Sequence, residues 1–174
     1  MLSTYIKKIL LLILISIITF FFWETGLENI YEKALIGITN PVLKVIKKDT
    51  RIDLEKIDTK NTFQFRVYTR VQGRMGNYPQ ETGGLMEPFV IILSWQLFLF
   101  FALNYKAALK LLAINTITFI LIQVIFLIFL TGYYNSSFQQ FLFDMMLDNF
   151  YIVALILVIK DDLLYHVFKK RKNT

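Results

Sequence analysis

Apolar residues gather in four blocks along this chain, and each block, alone or with its flanks, is long enough to cross a bilayer. A spanning helix needs roughly 20 mostly apolar residues, each rising about 1.5 Å. Ile9–Trp23 supplies the first block, lengthened by Tyr5, Ile6 and the aliphatic stems of Lys7 and Lys8. Phe89–Leu103 is the second. It opens on Glu87-Pro88, which suits a helix start: proline is tolerated in the first turn, and a carboxylate favours the positive end of the helix dipole. Leu111–Leu130 is the clearest span. Met145–Ile159 is the fourth, interrupted by Asp148 and Asn149, and it is expected to run on as helix toward Phe168. The pattern predicts a mainly α protein, a four-transmembrane-helix bundle.

Between the first and second blocks the period changes. Leu27, Ile30, Tyr31, Ala34, Leu35 and Ile38 recur at three and four, which predicts an amphipathic helix within 24–48, lying on or leaning out of the leaflet. Asn40-Pro41 punctuates it, and Val42, Leu43, Val45 and Ile46 resume the apolar pattern. Ile52, Leu54 and Ile57 then outline a short strand. Phe63, Phe65, Val67 and Val71 alternate with Gln64, Arg66, Tyr68 and Arg70, the period of a half-covered strand. Asp58-Thr59-Lys60-Asn61 reads as the hairpin loop between them, and Gly73 to Gly84 as an irregular connection. The extramembrane segment is therefore expected to be α+β, an amphipathic helix plus a β-hairpin. The divisions are an anchor at 1–23, this segment at 24–87, spans two and three at 88–130, an outer loop at 131–147, and span four with a basic tail at 148–174.

Composition narrows the class. The chain is 56% hydrophobic, 16% aromatic and only 18% charged, with a mean hydropathy of +0.53. A soluble enzyme, a disordered tail and a free nucleic-acid binder are excluded. Without cysteine there is no disulfide or thiolate chemistry, and a single histidine argues against a His-rich metal site, so no metal or cofactor is expected. The first block ends in Phe20-Phe21-Phe22-Trp23-Glu24, which offers no small-residue cleavage site and reads as an uncleaved anchor.

The net charge of +6 matters through its placement. Lys7 and Lys8 precede the first span, Lys106 and Lys110 fall at the turn between the second and third, and Lys169-Lys170-Arg171-Lys172 follows the fourth. The loop 131–144 carries no cation. Positive residues collect on the cytoplasmic side, so both termini are expected to be cytoplasmic, in a bacterial or archaeal cell membrane. The expected partners are the lipid bilayer and other membrane subunits, with a homo-oligomer an alternative and nucleic acid not expected.

Several polar groups invite chemistry. Asp144 and Asp148 lie one helical turn apart, and paired carboxylates share a proton, bind a cation or divide acid and base work. The plainer reading places them in the head-group zone. Glu24, Glu28 and Glu32 form a second row, either a solvated helix face or a stripe that pairs with Arg66, Arg70 or Arg74. Arg66 and Arg70 share the polar strand face and suit a carboxylate or phosphate, or an intramolecular pair. With Arg74, Phe63 and Phe65 they are the candidate partner-binding residues. Gln96, Asn115, Thr118 and Gln123 fall inside spans two and three, as interhelical bridges or the lining of a path. Trp23, Trp95, Tyr133 and Tyr134 read as interfacial or packing aromatics. His166 lies near the basic tail with only Asp161 and Asp162 close in sequence.

The layout is one anchor, a small mixed outer segment, a second span entered through Gly83-Gly84-Leu85-Met86-Glu87-Pro88, and a closing pair of spans. It resembles the small membrane proteins associated with the exosortase and archaeosortase protein-sorting systems. Exosortases rely on Cys, Arg and His at the outer face. This chain has no Cys, so the resemblance implies an accessory role in envelope protein sorting rather than the transpeptidase, and it carries no site residue across. The leading expectation is a non-catalytic accessory subunit of a cell-envelope membrane complex. The alternatives are a membrane hydrolase or transporter element using Asp144 and Asp148, and a homo-oligomeric pore through Gln96, Asn115 and Gln123.

Overall fold

The computed structural model describes the backbone of residues 2–57, 62–81, 83–103 and 105–172, and the side chains of these apart from 2–4, 62, 83 and 162–172. The expected loop Asp58–Asn61 and the side chains of His166 and of the tail 169–172 lie outside the described residues. The element order is α1 (Leu2–Phe22), a π-helical turn (Trp23–Leu27), α2 (Glu28–Ile46), β1 (Arg51–Ile57), β2 (Thr62–Val71), β3 (Arg74–Glu81), α3 (Gly83–Met86), α4 (Pro88–Ala102), α5 (Tyr105–Leu130) and α6 (Ser137–Lys172). Among the described residues, four helical stretches are long and apolar enough to cross a membrane: Tyr5–Ile46, Gly84–Ala102, Tyr105–Leu130 and Ser137–Asp161. The chain is a multi-pass membrane protein, mainly helical, with a small antiparallel sheet.

The first stretch covers 42 residues. As one straight helix it would run about 63 Å, twice the hydrocarbon thickness. It breaks at Gly26, whose φ of 138° lies outside the reach of other residues, and beyond the break α2 packs on α5 and β1. The helix then continues through Asn40-Pro41, where the sequence pattern expected a stop. Pro41 is exposed, so the main-chain bond it forgoes falls on the outer side of the helix.

The inward face of α2 is partly polar. Glu32, Leu35, Thr39 and Leu43 are buried, whereas Leu27, Ile30, Ala34, Ile38, Val42, Val45 and Ile46 are exposed. The helical period is as read, but most of the apolar row faces away from the protein. Beside a bilayer, apolar residues gain nothing by turning inward, and polar residues such as Glu32 and Thr39 do.

The sheet has three strands in the order β1-β2-β3, all antiparallel. β1 and β2 form the expected hairpin. Phe65 and Val67 are fully buried, Phe63 and Val71 half-buried, and Arg66, Tyr68 and Arg70 lie on the other face. Tyr78 of β3 pairs with Val67, which pairs in turn with Ile52. The third strand replaces the irregular connection expected after Gly73. Its turn is Gln72-Gly73, both with positive φ, the twist that suits a two-residue hairpin. β3 shows little apolar alternation: Gly76 and Pro79 are poor strand formers, and Tyr78 is its one buried large side chain.

An aromatic core joins the sheet side to the spans. Tyr31 stacks on Phe89 at 4.3 Å and Phe89 on Phe119 at 5.7 Å, while Phe126 stacks on Phe143 at 4.2 Å and meets Phe150 edge-on at 4.8 Å. Trp23 closes this group and is completely buried, a packing role rather than an interfacial one.

Candidate functional site

The deepest polar groups meet where α4, α5 and α6 pack together. Gln96 lies about 12 Å along α4 from Pro88 and about 9 Å from Ala102. Asn115 lies about 15 Å along α5 from Tyr105. Both side chains are fully buried, and both donate to one oxygen of Asp161. Gln96 Nε2 to Asp161 Oδ2 and Asn115 Nδ2 to Asp161 Oδ2 each measure 2.6 Å. Lys160 Nζ donates to Asn115 Oδ1 and lies 3.4 Å from Asp161 Oδ1. Asp161 is 1% exposed. A carboxylate at this depth is costly unless it is served, and three helices are drawn together to serve it.

Sequence reasoning placed Gln96 and Asn115 correctly in the spans but missed Asp161. The apolar run ends at Ile159, which put Asp161 past the membrane on the side of His166. In the fold, α6 is 36 residues long and Asp161 lies level with the middle of α4. The available signal was the polar pair Lys160-Asp161 on a helix expected to continue, with Gln96 and Asn115 in the two other spans.

Gln123 serves a different junction. Its Nε2 donates to the Leu85 carbonyl at 2.9 Å, and its Oε1 accepts from the Tyr31 hydroxyl, so it ties α5 to α3 and α2. Gln123 is therefore not brought to Gln96 and Asn115. Asp144 and Asp148 are exposed on α6, and neither has an ion pair among the described residues. Glu87 accepts from the Tyr151 hydroxyl at 2.6 Å. An apolar cleft of about 310 Å³ lies between α1, α4 and α6, and Ser16, Ser94 and Trp95 are its polar lining. Among the described residues no group of three or more His, Asp or Glu is placed to hold a metal ion.

The open sheet face is tied up by its own charges. Arg66 donates through Nε and Nη2 to Glu55 Oε2 at 2.8 and 2.5 Å, and through Nη1 to Asn77 Oδ1 at 3.2 Å. Gln64 Nε2 adds a third donor to Glu55 at 2.9 Å. The bonds from Gln64 and Arg66 hold the Glu55 carboxyl below its ordinary value. Arg70 pairs with Asp49 at 2.8 Å, and the Arg51 guanidinium lies 4.6 Å over the Tyr68 ring. Arg66 and Arg70 thus pair with Glu55 and Asp49, and of the row Glu24, Glu28 and Glu32 only Glu24 is exposed. Arg74 is exposed beside the β2–β3 turn.

Comparisons with protein-family models, with curated proteins and with solved structures find no match.

The sheet is bolted to the bundle at three points. Asn40 of α2 bonds the main chain of Ile52 in both directions. Asn135, in the α5–α6 loop, accepts from the Gln72 N–H at 3.1 Å and donates to the Arg70 carbonyl, gripping the tip of the β2–β3 turn. The Tyr78 hydroxyl donates to the carbonyl of Leu130, at the end of α5. Burial, with Tyr134 beside it, pushes the Tyr78 phenol well above its ordinary value, so it stays a donor.

Proposed function

We propose that the chain is a non-catalytic accessory subunit of a cell-envelope membrane assembly that sorts or exports proteins. Its termini would be cytoplasmic and its sheet extracytoplasmic. One observation carries this reading: the outward row of apolar side chains on α2, a helix fixed to both the sheet and the spans. Ile30 is 66% exposed, Val45 86% and Ile46 55%. Lys47, next to Ile46, reaches Thr131 at the far end of α5, so the row extends to the sheet side of the bundle. An apolar surface there suits the lipid or another membrane subunit packed in its place. The exposed setting of Asp144 and Asp148 and the apolar lining of the cleft favour a non-catalytic role. The layout resemblance to exosortase-associated proteins supports sorting as the process.

The test is a paired substitution, Val45→Glu with Ile46→Glu, in the full-length tagged chain. Both side chains are exposed, so folding should survive. Recovery of the native assembly should fall by about tenfold or more, equivalent to about 1.4 kcal/mol. Unchanged recovery would remove the surface on which the reading rests.

The buried Asp161 favours a second reading, in which the chain is an ion-linked element of a transporter. The residue involved is then Asp161, not Asp144 or Asp148.

A further inference from the structure

Asp161 and Gln96 share one hydrogen bond, and each keeps one buried acceptor with no hydrogen-bond donor among the described residues. Gln96 Nε2 reaches Asp161 Oδ2 at 2.6 Å, as does Asn115 Nδ2. Asp161 Oδ1 and Gln96 Oε1 have no hydrogen-bond donor among the described residues. Lys160 Nζ is 3.4 Å from Oδ1, but its hydrogen bond goes to Asn115 Oδ1. Both unserved oxygens belong to side chains that are at most 1% exposed. A buried acceptor left open is rare and calls for a donor.

A carboxyl and a primary carboxamide match when the carboxyl carries its proton. The amide N–H donates to one acid oxygen, and the acid O–H donates to the amide oxygen. The first half of that exchange is already made. We propose that Asp161 is a proton-binding site inside the membrane bundle, with the bound proton on Oδ1 and shared with Gln96 Oε1. Carboxylate and proton combine to the neutral acid, and no other bond forms or breaks. One hydrogen then satisfies both open acceptors.

The surroundings select among ligands. Among the described residues, Lys160 is the charge that faces Asp161, from its own helix α6. α4 and α5 present Gln96 and Asn115, both neutral. Lys7 and Lys8 of α1 and Lys106 and Lys110 of α5 are exposed. A metal cation would sit beside the Lys160 ammonium and be repelled by it. A water could also donate to both acceptors, with Asp161 ionised and paired with Lys160, and infrared spectroscopy separates that arrangement from the bound proton. With the proton released, Lys160 is already placed to take over Oδ1. Protonation therefore adds a second bond from Asp161 to Gln96 on α4, in place of the Lys160 pair on its own helix.

The test is infrared spectroscopy of the full chain in lipid nanodiscs at neutral pH, with ¹³C-aspartate labelling to separate aspartate from glutamate bands. The proposal expects a protonated-carboxyl band that moves on labelling. The band should be lost in Asp161→Asn and kept in Asp144→Asn and Asp148→Asn. In Gln96→Leu, which deletes the acceptor, it should shift to higher frequency. Asparagine can donate an N–H to Gln96 in place of the acid O–H, so Asp161→Asn should keep the thermal midpoint. If that variant cannot be recovered, the shift in Gln96→Leu carries the test alone. Carboxylate bands only, as for a water-bridged ionised Asp161, or a protonated band indifferent to Asp161→Asn and Gln96→Leu, would overturn the proposal.

Discussion

Asn40 holds both main-chain groups of Ile52. Its Nδ2 donates to the Ile52 carbonyl at 2.8 Å and its Oδ1 accepts from the Ile52 N–H at 2.9 Å. A helix side chain here does the work of a neighbouring strand, closing part of the free edge of β1. It also fixes α2 against the sheet at the point where Pro41 interrupts the helix ladder.

Asn40→Leu should release that edge. Two hydrogen bonds are lost, each worth about 0.5–1.5 kcal/mol net, and the buried ends left behind add to the loss. Amide exchange at Ile52 should speed up by about tenfold or more, while exchange within α5 stays unchanged. Equal exchange at Ile52 in the variant and the parent would show that the clip carries no load.

Phe65→Asp should dismantle the sheet unit but not the spans. Phe65 is fully buried between Leu54 and Gln80 in the register. Removing a buried Phe costs about 3–5 kcal/mol, and the new carboxylate has no partner. Trypsin should then cleave at Arg51, Lys56 or Arg66 in the native membrane, and the chain should remain in the carbonate-washed pellet, because each span inserts on its own hydrophobicity. Loss of the chain from the membrane would contradict the division between the two parts.

The spans and β2 were legible because each carries a long, unmixed period. Four apolar blocks cannot be hidden in water, and the alternation from Phe63 to Val71 fits only a covered strand. β3 was not legible, since its place is set by pairing with β2 and not by its own Gly76, Asn77 and Pro79. Asp161 escaped because the end of the apolar run at Ile159 reads as the membrane boundary, although the helix itself is expected to continue. Only contact with Gln96 and Asn115 reveals its depth.

The sheet should loosen in acid through Glu55. Bonds from Gln64 and Arg66 lower its folded value below the ordinary 4.5. A carboxylate lowered in this way stabilises the fold above the unfolded value and loses that contribution as pH falls through the folded one. The thermal midpoint of the parent should therefore approach that of Glu55→Gln only below pH 4.5, and the two should differ by a constant amount near neutrality. A difference that persists unchanged into strong acid would contradict the assignment.

The orientation can be read with one thiol, because the chain has no cysteine. Ser137 is exposed at the start of α6, on the side of the bundle that carries the sheet. Ser137→Cys should react with an impermeant maleimide added outside intact cells, and Asn173→Cys should react only after lysis. The reverse pattern would turn the protein over in the membrane.

Recovery of the native assembly by a tagged chain, measured side by side for Phe65→Asp and Asp148→Asn together with function in cells, tests the accessory reading most directly. The account predicts that Phe65→Asp loses both the assembly and the function, and that Asp148→Asn, altering an exposed carboxylate, keeps both. A silent Phe65→Asp, alongside an Asp148→Asn that assembles normally but has no function, would contradict it and transfer the activity to the carboxylates of α6.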